Sequence, residues 1–189
     1  SNDYGTVTGT GSVLGVCVAN GINDGILACR TPSSGNNYLH KWNTSTSSWD
    51  AVTTSGSPTM SGVTKVRFTK FNFSTPKVLL TDGINPAATY DGTTYTQITH
   101  TNAPTAPKYS SVFQSRVFLA GDPAKDYNLY VSAPDAETDF SAANGAGVLN
   151  IGFPIVAIKP FRDALYVFGT NNIRKLVGNN IANFVLETV

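Results

Sequence analysis

Two histidines, twelve carboxylates, one glycine-rich stretch and a short basic run are the residues whose types could do chemistry in this chain. His40 or His100 could act as a general base if a Ser or Cys nucleophile and an orienting carboxylate stood beside it. No G-x-S-x-G or comparable spacing accompanies either, so both are expected in structural roles, His40 in a strand and His100 at the end of a unit. Asp122, Asp126, Asp135, Glu137 and Asp139 put five of the twelve acids within 18 residues, and converging oxygens suit a hard cation. Their spacing departs from the ladder of a calcium loop, and Pro123 and Pro134 mark ordinary loops. Asp24-Gly25, Asp82-Gly83 and Asp91-Gly92 are turn chemistry, with Asp91-Gly92 expected as a two-residue hairpin. The stretch Gly9 to Gly15 has the look of a phosphate loop but lacks the G-x-G-x-x-G spacing and a following helix. Lys65, Arg67 and Lys70 run along one strand-like segment, with Lys65 and Arg67 on one face. They could meet phosphates or acidic neighbours, but a strand edge guarded against stray pairing is the expected role. Asn43-Thr-Ser45 and Asn72-Phe-Ser74 match the glycosylation pattern without any secretion signal. No catalytic, cofactor-binding or metal-ligating residue is assigned, and no cofactor.

The elements that would position these residues are strands. Short runs rich in Val, Ile, Thr, Tyr and Phe alternate with Gly, Asn, Asp and Pro clusters, and no helical period is sustained. Trp49, Tyr95, Phe140 and Phe184 fall 46, 45 and 44 residues apart, each in the last strand-like run of a similar unit. A repeat of this length made only of strands predicts an all-β, β-propeller-like array of about four four-stranded antiparallel blades, closed or part of a larger propeller. The units run about 11–56, 57–103, 104–152 and 153–189 within one domain. The fourth strand of the third unit is poorly defined, near Phe140 or over Val148 to Ile151. The second strand of each unit is a continuous apolar run (Ile26 to Ala28, Val78 to Leu80, Val117 to Leu119, Leu165 to Phe168), as burial on both faces requires. The third and fourth strands form outer hairpins, Trp42 to Trp49 and Tyr90 to Tyr95, whose aromatics are expected between blades. Asp3 to Thr10 is a candidate seventeenth strand.

Only 13% of residues are charged, against roughly 25% in an average globular protein. Low charge with abundant Thr, Ser, Asn and Gly suits surfaces covered by other subunits, or exposed strands that use neutral side chains. A net charge of +1 gives no basic signature for nucleic acid. No apolar run approaches the about 18 residues of a membrane span, and Ser1 to Gly11 lacks the features of a signal peptide. Val189 ends a strand-like run with no polar tail, so the chain reads as a piece of something longer. Cys17 and Cys29 would face each other across a hairpin centred near Asn23. They are expected as two buried thiols, which suits assembly in a reducing compartment.

The second half carries a more specific pattern. Ser115-Arg116-Val-Phe-Leu-Ala-Gly121 precedes Asn128-Leu-Tyr-Val-Ser132-Ala-Pro-Asp-Ala-Glu-Thr-Asp139-Phe140. Ile155-Val-Ala-Ile-Lys-Pro-Phe161, Ala164-Leu-Tyr-Val-Phe-Gly-Thr170 and Asn172-Ile-Arg-Lys-Leu-Val-Gly178 follow. Over about residues 109–180 this order resembles the tail nozzle and packaged-DNA stabilisation proteins of short-tailed bacteriophages, the tail tubular protein B-like group. The resemblance implies a structural, non-enzymatic virion component, assembled in the host cytoplasm as a homo-oligomeric ring of β-propeller subunits in the tail. Such a ring extends the double-stranded DNA channel, helps retain the genome until ejection, and contacts the head-to-tail adaptor and fibres. It supplies no catalytic residues, and the motif positions are expected to be strands and turns. The alternatives are a carbohydrate-binding or adhesion propeller, with Tyr38, Trp42 and Tyr95 stacking on sugars, and a propeller hydrolase using a histidine and convergent acids.

Overall fold

In the computed structural model, which describes residues 4–22, 25–31 and 38–189, nearly all regular structure is strand. The first sheet is a meander of β1 (Val13–Val18), β2 (Ile26–Arg30), β3 (Leu39–Asn43) and β4 (Ser48–Ala51). A two-residue strand, β5 (Thr53–Thr54), leads to β6 (Arg67–Asn72), β7 (Pro76–Thr81), β8 (Ala88–Tyr90) and β9 (Thr94–Gln97) of the second. The third sheet holds β10 (Tyr109–Phe113), β11 (Arg116–Ala120), β12 (Asn128–Val131) and β13 (Gly147–Asn150). The fourth holds β14 (Ala157–Phe161), β15 (Ala164–Phe168), β16 (Ile173–Val177) and β17 (Val185–Thr188). The architecture is therefore all-β and propeller-like, with four successive antiparallel blades.

Three apolar clusters fill the three gaps between successive sheets. Leu27, Cys29 and Leu39 of the first sheet pack on Val78, Leu80 and Tyr90 of the second. Phe71 and Leu79 of the second pack on Val117, Leu119 and Tyr130 of the third. Phe118, Leu129 and Val131 of the third pack on Ile158, Leu165 and Leu176 of the fourth. Among the described residues no core cluster joins the fourth sheet to the first. The second strands lie deepest: β11 is buried throughout, and β7 over its last four residues. The inner strands approach one another so closely that Gly15 has no room for a side chain. A Cβ there would meet the Val66 carbonyl oxygen at 2.7 Å, beside the Val66 N–H bond to Leu14 O at 2.9 Å.

The repeated aromatic has a direction. Tyr95, Phe140 and Phe184 each pack toward the preceding sheet, in the clusters named above. Trp49 points the same way, but among the described residues no sheet precedes its own. It lies with Trp42, Val7 and Ala28 under the N-terminal segment, not between blades as expected. There its indole Nε1 donates to Tyr4 O at 2.8 Å, Thr8 Oγ1 donates to Trp49 O at 3.1 Å, and Arg30 donates to the Val7 carbonyl. Tyr4 and Trp42 meet edge to face at 5.2 Å.

Several expectations are corrected. The described part of Asp3 to Thr10 contains no strand, and Asp3 lies outside the described residues. The seventeenth strand is β5, which pairs parallel with β9 and ties the end of the first unit to the outer edge of the second sheet. Phe140 is buried but not in a strand. It closes an excursion after β12, and the fourth strand is β13, seven residues on. Lys65 precedes β6 instead of lying in it. Asp91-Gly92 belongs to a four-residue loop, because Tyr90 pairs with Tyr95. Gly92 takes φ +101° and Asp91 Oδ1 accepts the N–H groups of Thr93 and Thr94 at 2.8 Å. Cys17 pairs with Leu27 and Cys29 with Gly15, so the thiols are out of register by two positions. A two-residue shift leaves each side chain on its own face, so apolar alternation could not fix it. Asn23 and Asp24 lie outside the described residues.

Trp49→Ala should lower stability by about 3–5 kcal/mol in urea unfolding, and a loss below about 1 kcal/mol would mean the N-terminal cover contributes little. Gly15→Ala, which must push β1 off Val66, should cost about 1–3 kcal/mol in the same assay. A neutral result there would show that the two inner strands are not in contact.

Candidate functional site

The residues singled out in the sequence are dispersed by the fold. His40 sits on β3, 6% exposed, between Ala28 and Ala51, and its Nδ1 is buried without a hydrogen-bond partner. Burial, with the nearby Arg30 charge, holds its pKa below the usual histidine value against a raising contribution from the Tyr38 backbone. His100 follows β9. Its Nδ1 accepts the Asn102 N–H at 3.1 Å, its Nε2 lies 3.8 Å from Asp139, and its ring leans on Phe140. The two histidines therefore belong to different sheets, His40 to the first and His100 to the end of the second.

The acidic cluster separates into individual loop fasteners. Asp122 is buried and accepts N–H groups of Thr105, Ala106 and Ala124, gathering the turn between the second and third sheets. Asp139 accepts from Ser141 N and Asn144 Nδ2, and these bonds hold its carboxyl below the usual carboxylate range. Glu137 pairs with Lys77 of β7 across the gap between sheets. Asp135 takes φ +52° in the turn after Ala133. Among the described residues no three His, Cys, Asp or Glu side chains group as they would around a metal ion.

The remaining motifs also resolve into local structure. Asn43 of the first glycosylation pattern locks its hairpin, accepting from Ser45 N at 3.0 Å and donating to Asp50 Oδ2 at 2.7 Å. Asn72 ends β6, exposed. The glycine-rich stretch runs into β1, where Gly15 serves the inter-sheet contact. Cys17 and Cys29 are free thiols, and burial raises both pKa values. Tyr38, Trp42 and Tyr95 are 1%, 8% and 3% exposed, so packed sheets and the N-terminal segment enclose the rings that a sugar would have had to reach.

Two features were not legible beforehand. Arg116 is 4% exposed and donates from one nitrogen to Ser132 O at 2.8 Å and Gly145 O at 2.6 Å. It pins both ends of the excursion that carries Phe140. The signal was an arginine opening an otherwise apolar strand. The second is a cavity of about 680 Å³ between the inner strands, lined by residues of β1, β6, β10 and β14. Arg67, Lys70 and Lys159 supply its charge. The first two were singled out in sequence, while Lys159 joins them only because the fold brings β14 to the same cavity as β6.

The fourth sheet leaves one face uncovered. Lys159, Phe161, Tyr166 and Phe168 line a shallow apolar depression on it, with Phe161 61% exposed. Ile173 and Val185 extend the exposed apolar surface. Among the described residues no helix is long and apolar enough to cross a membrane. No family model, curated protein or solved structure matches this chain.

The depressed His40 pKa has a signed consequence. Below about pH 6.5 the unfolded chain binds this proton more readily than the folded one. Stability should therefore fall as pH drops from about 6.5 toward the folded value, and His40→Gln should flatten that part of the melting-temperature profile. An unchanged profile in the variant would mean that His40 titrates alike in both states.

Proposed function

We propose that the protein is a structural, non-enzymatic virion component, a subunit of a bacteriophage tail nozzle or head-to-tail ring. In this reading it extends the double-stranded DNA channel and helps retain the packaged genome until ejection. The observation that carries the reading is the direction of the sheet stack. Tyr95, Phe140 and Phe184 each pack on the sheet before their own, and the fourth sheet presents Phe161, Ile173 and Val185 to solvent where the next neighbour would stand. An exposed apolar sheet face of this kind marks a contact surface, and the neighbour proposed for it is another subunit of the ring.

Two further features support the reading. The segment resembling nozzle proteins, about residues 109–180, makes up most of the third and fourth sheets, and its conspicuous residues have mechanical roles. Arg116 and Ser132 brace the excursion: Val117 N donates to Ser132 Oγ at 3.0 Å, and Arg116 holds Ser132 O. Few charges suit a wall made of subunit contacts. Stacked sheets with their second strands enclosed give a stiff element to resist the pressure of packaged DNA. The adaptor and fibres of the tail are the proposed neighbours above and at the side.

Negative-stain electron microscopy of the purified protein over a range of concentrations tests this. Closed rings of uniform copy number are expected, and Phe161→Asp with Ile173→Asp should abolish them while leaving the melting temperature within a few degrees. A strictly monomeric protein that also fails to join purified adaptor rings would contradict the proposal.

A further inference from the structure

We propose that the cavity between the inner strands is a binding site for a small phosphoryl oxyanion of di- or triphosphate size. Its charged lining is Arg67 and Lys70 from β6 and Lys159 from β14, and among the described residues no Asp or Glu lines it. The ion pairs among the described residues involve Lys77, His100 and Lys175, so none of the three cavity cations is neutralised by a carboxylate. The Arg67 guanidinium lies over the Tyr109 ring at 5.2 Å, which orients its fork of N–H donors. Thr69 and Ser110 add a hydroxyl pair at 2.8 Å on the same wall.

Like charges around one partly enclosed space raise each other's energy, and an anion between them relieves the repulsion. A guanidinium fork with flanking ammonium groups is the donor set that phosphoryl oxygens select. Protection of a strand edge accounts for a single lysine facing solvent. It does not account for three cations from two sheets lining one volume with no described acid among its walls. The volume of about 680 Å³ falls within the roughly 300–1,000 Å³ of small-molecule sites, and is far too small for a nucleic-acid duplex. The site stands whether or not the subunit belongs to a phage tail.

Cys17 provides an internal reporter. It lines the same cavity and is half-buried, whereas Cys29 is fully enclosed. The test is calorimetric titration of the full chain with sodium tripolyphosphate, in buffer free of phosphate and sulfate. It is run beside iodoacetamide labelling of Cys17 with and without the same anion. Saturable one-to-one binding is expected, with Cys17 labelling slowed at least fivefold. Arg67→Gln with Lys159→Gln should weaken binding at least tenfold, whereas Lys175→Gln, outside the cavity, should leave it unchanged. Absence of saturable binding, or equal affinity in the double variant, would overturn the site. Equal protection of Cys17 by sodium citrate would overturn the phosphoryl assignment.

Discussion

Face-to-face packing between sheets is the constraint on which the rest of the molecule depends. A four-stranded meander has two faces, and in this chain both faces of the middle sheets are apolar. Leu79 faces one neighbour while Val78 and Leu80 face the other, and Val117 and Leu119 alternate with Phe118 in the same way. Each buried side chain of this size contributes about 1.5–3 kcal/mol relative to exposure, and only an adjacent sheet can supply that burial. The sheets are therefore stable as a stack, not as independent units. Loops, excursions and the N-terminal segment are arranged to keep neighbouring sheets in register.

The ends of the stack show what the constraint demands. Among the described residues no sheet precedes the first, and residues 4–8 cover its Trp42–Trp49 face with the Val7 side chain, the Tyr4 ring and hydrogen bonds between side chains and backbone. Val16 and Val18 on the inner strand of that sheet remain 60% and 56% exposed. The fourth sheet has no such cover, and its outward aromatics are left to solvent. Phe161, Ile173 and Val185 leave apolar surface exposed at that end, the kind of surface that marks a contact site. The proposed nozzle ring is an assembly in which that surface would be used.

Much of the fold was legible because it follows from local pattern. Continuous apolar runs marked the second strands, and all four runs fall inside β2, β7, β11 and β15. The Trp42–Trp49 hairpin closes with those two residues opposite each other. What escaped was set by non-local contacts. β5 is two residues long and exists only because β9 offers it an open edge. The N-terminal segment reads as a strand by composition, yet its partners are side chains, Trp49 and Arg30, that satisfy its carbonyls in place of a ladder. Phe140 kept the period of the repeat without keeping its strand, since burial needs the ring in the gap and not any particular backbone conformation. The cavity was half legible: Arg67 and Lys70 share a strand, but Lys159 lies about 90 residues away in sequence and joins them through a fold that no local pattern encodes.

The central claim is that each sheet is held by its neighbours, so that protection follows position in the stack. Amide hydrogen exchange of the full chain measures this directly. The account predicts slowest exchange for β7 and β11, which are enclosed on both faces, intermediate rates for β2 and β15, and fastest rates for β5 and β17. Equal protection of all four second strands, or β15 outlasting β7 and β11 in a monomer, would contradict it.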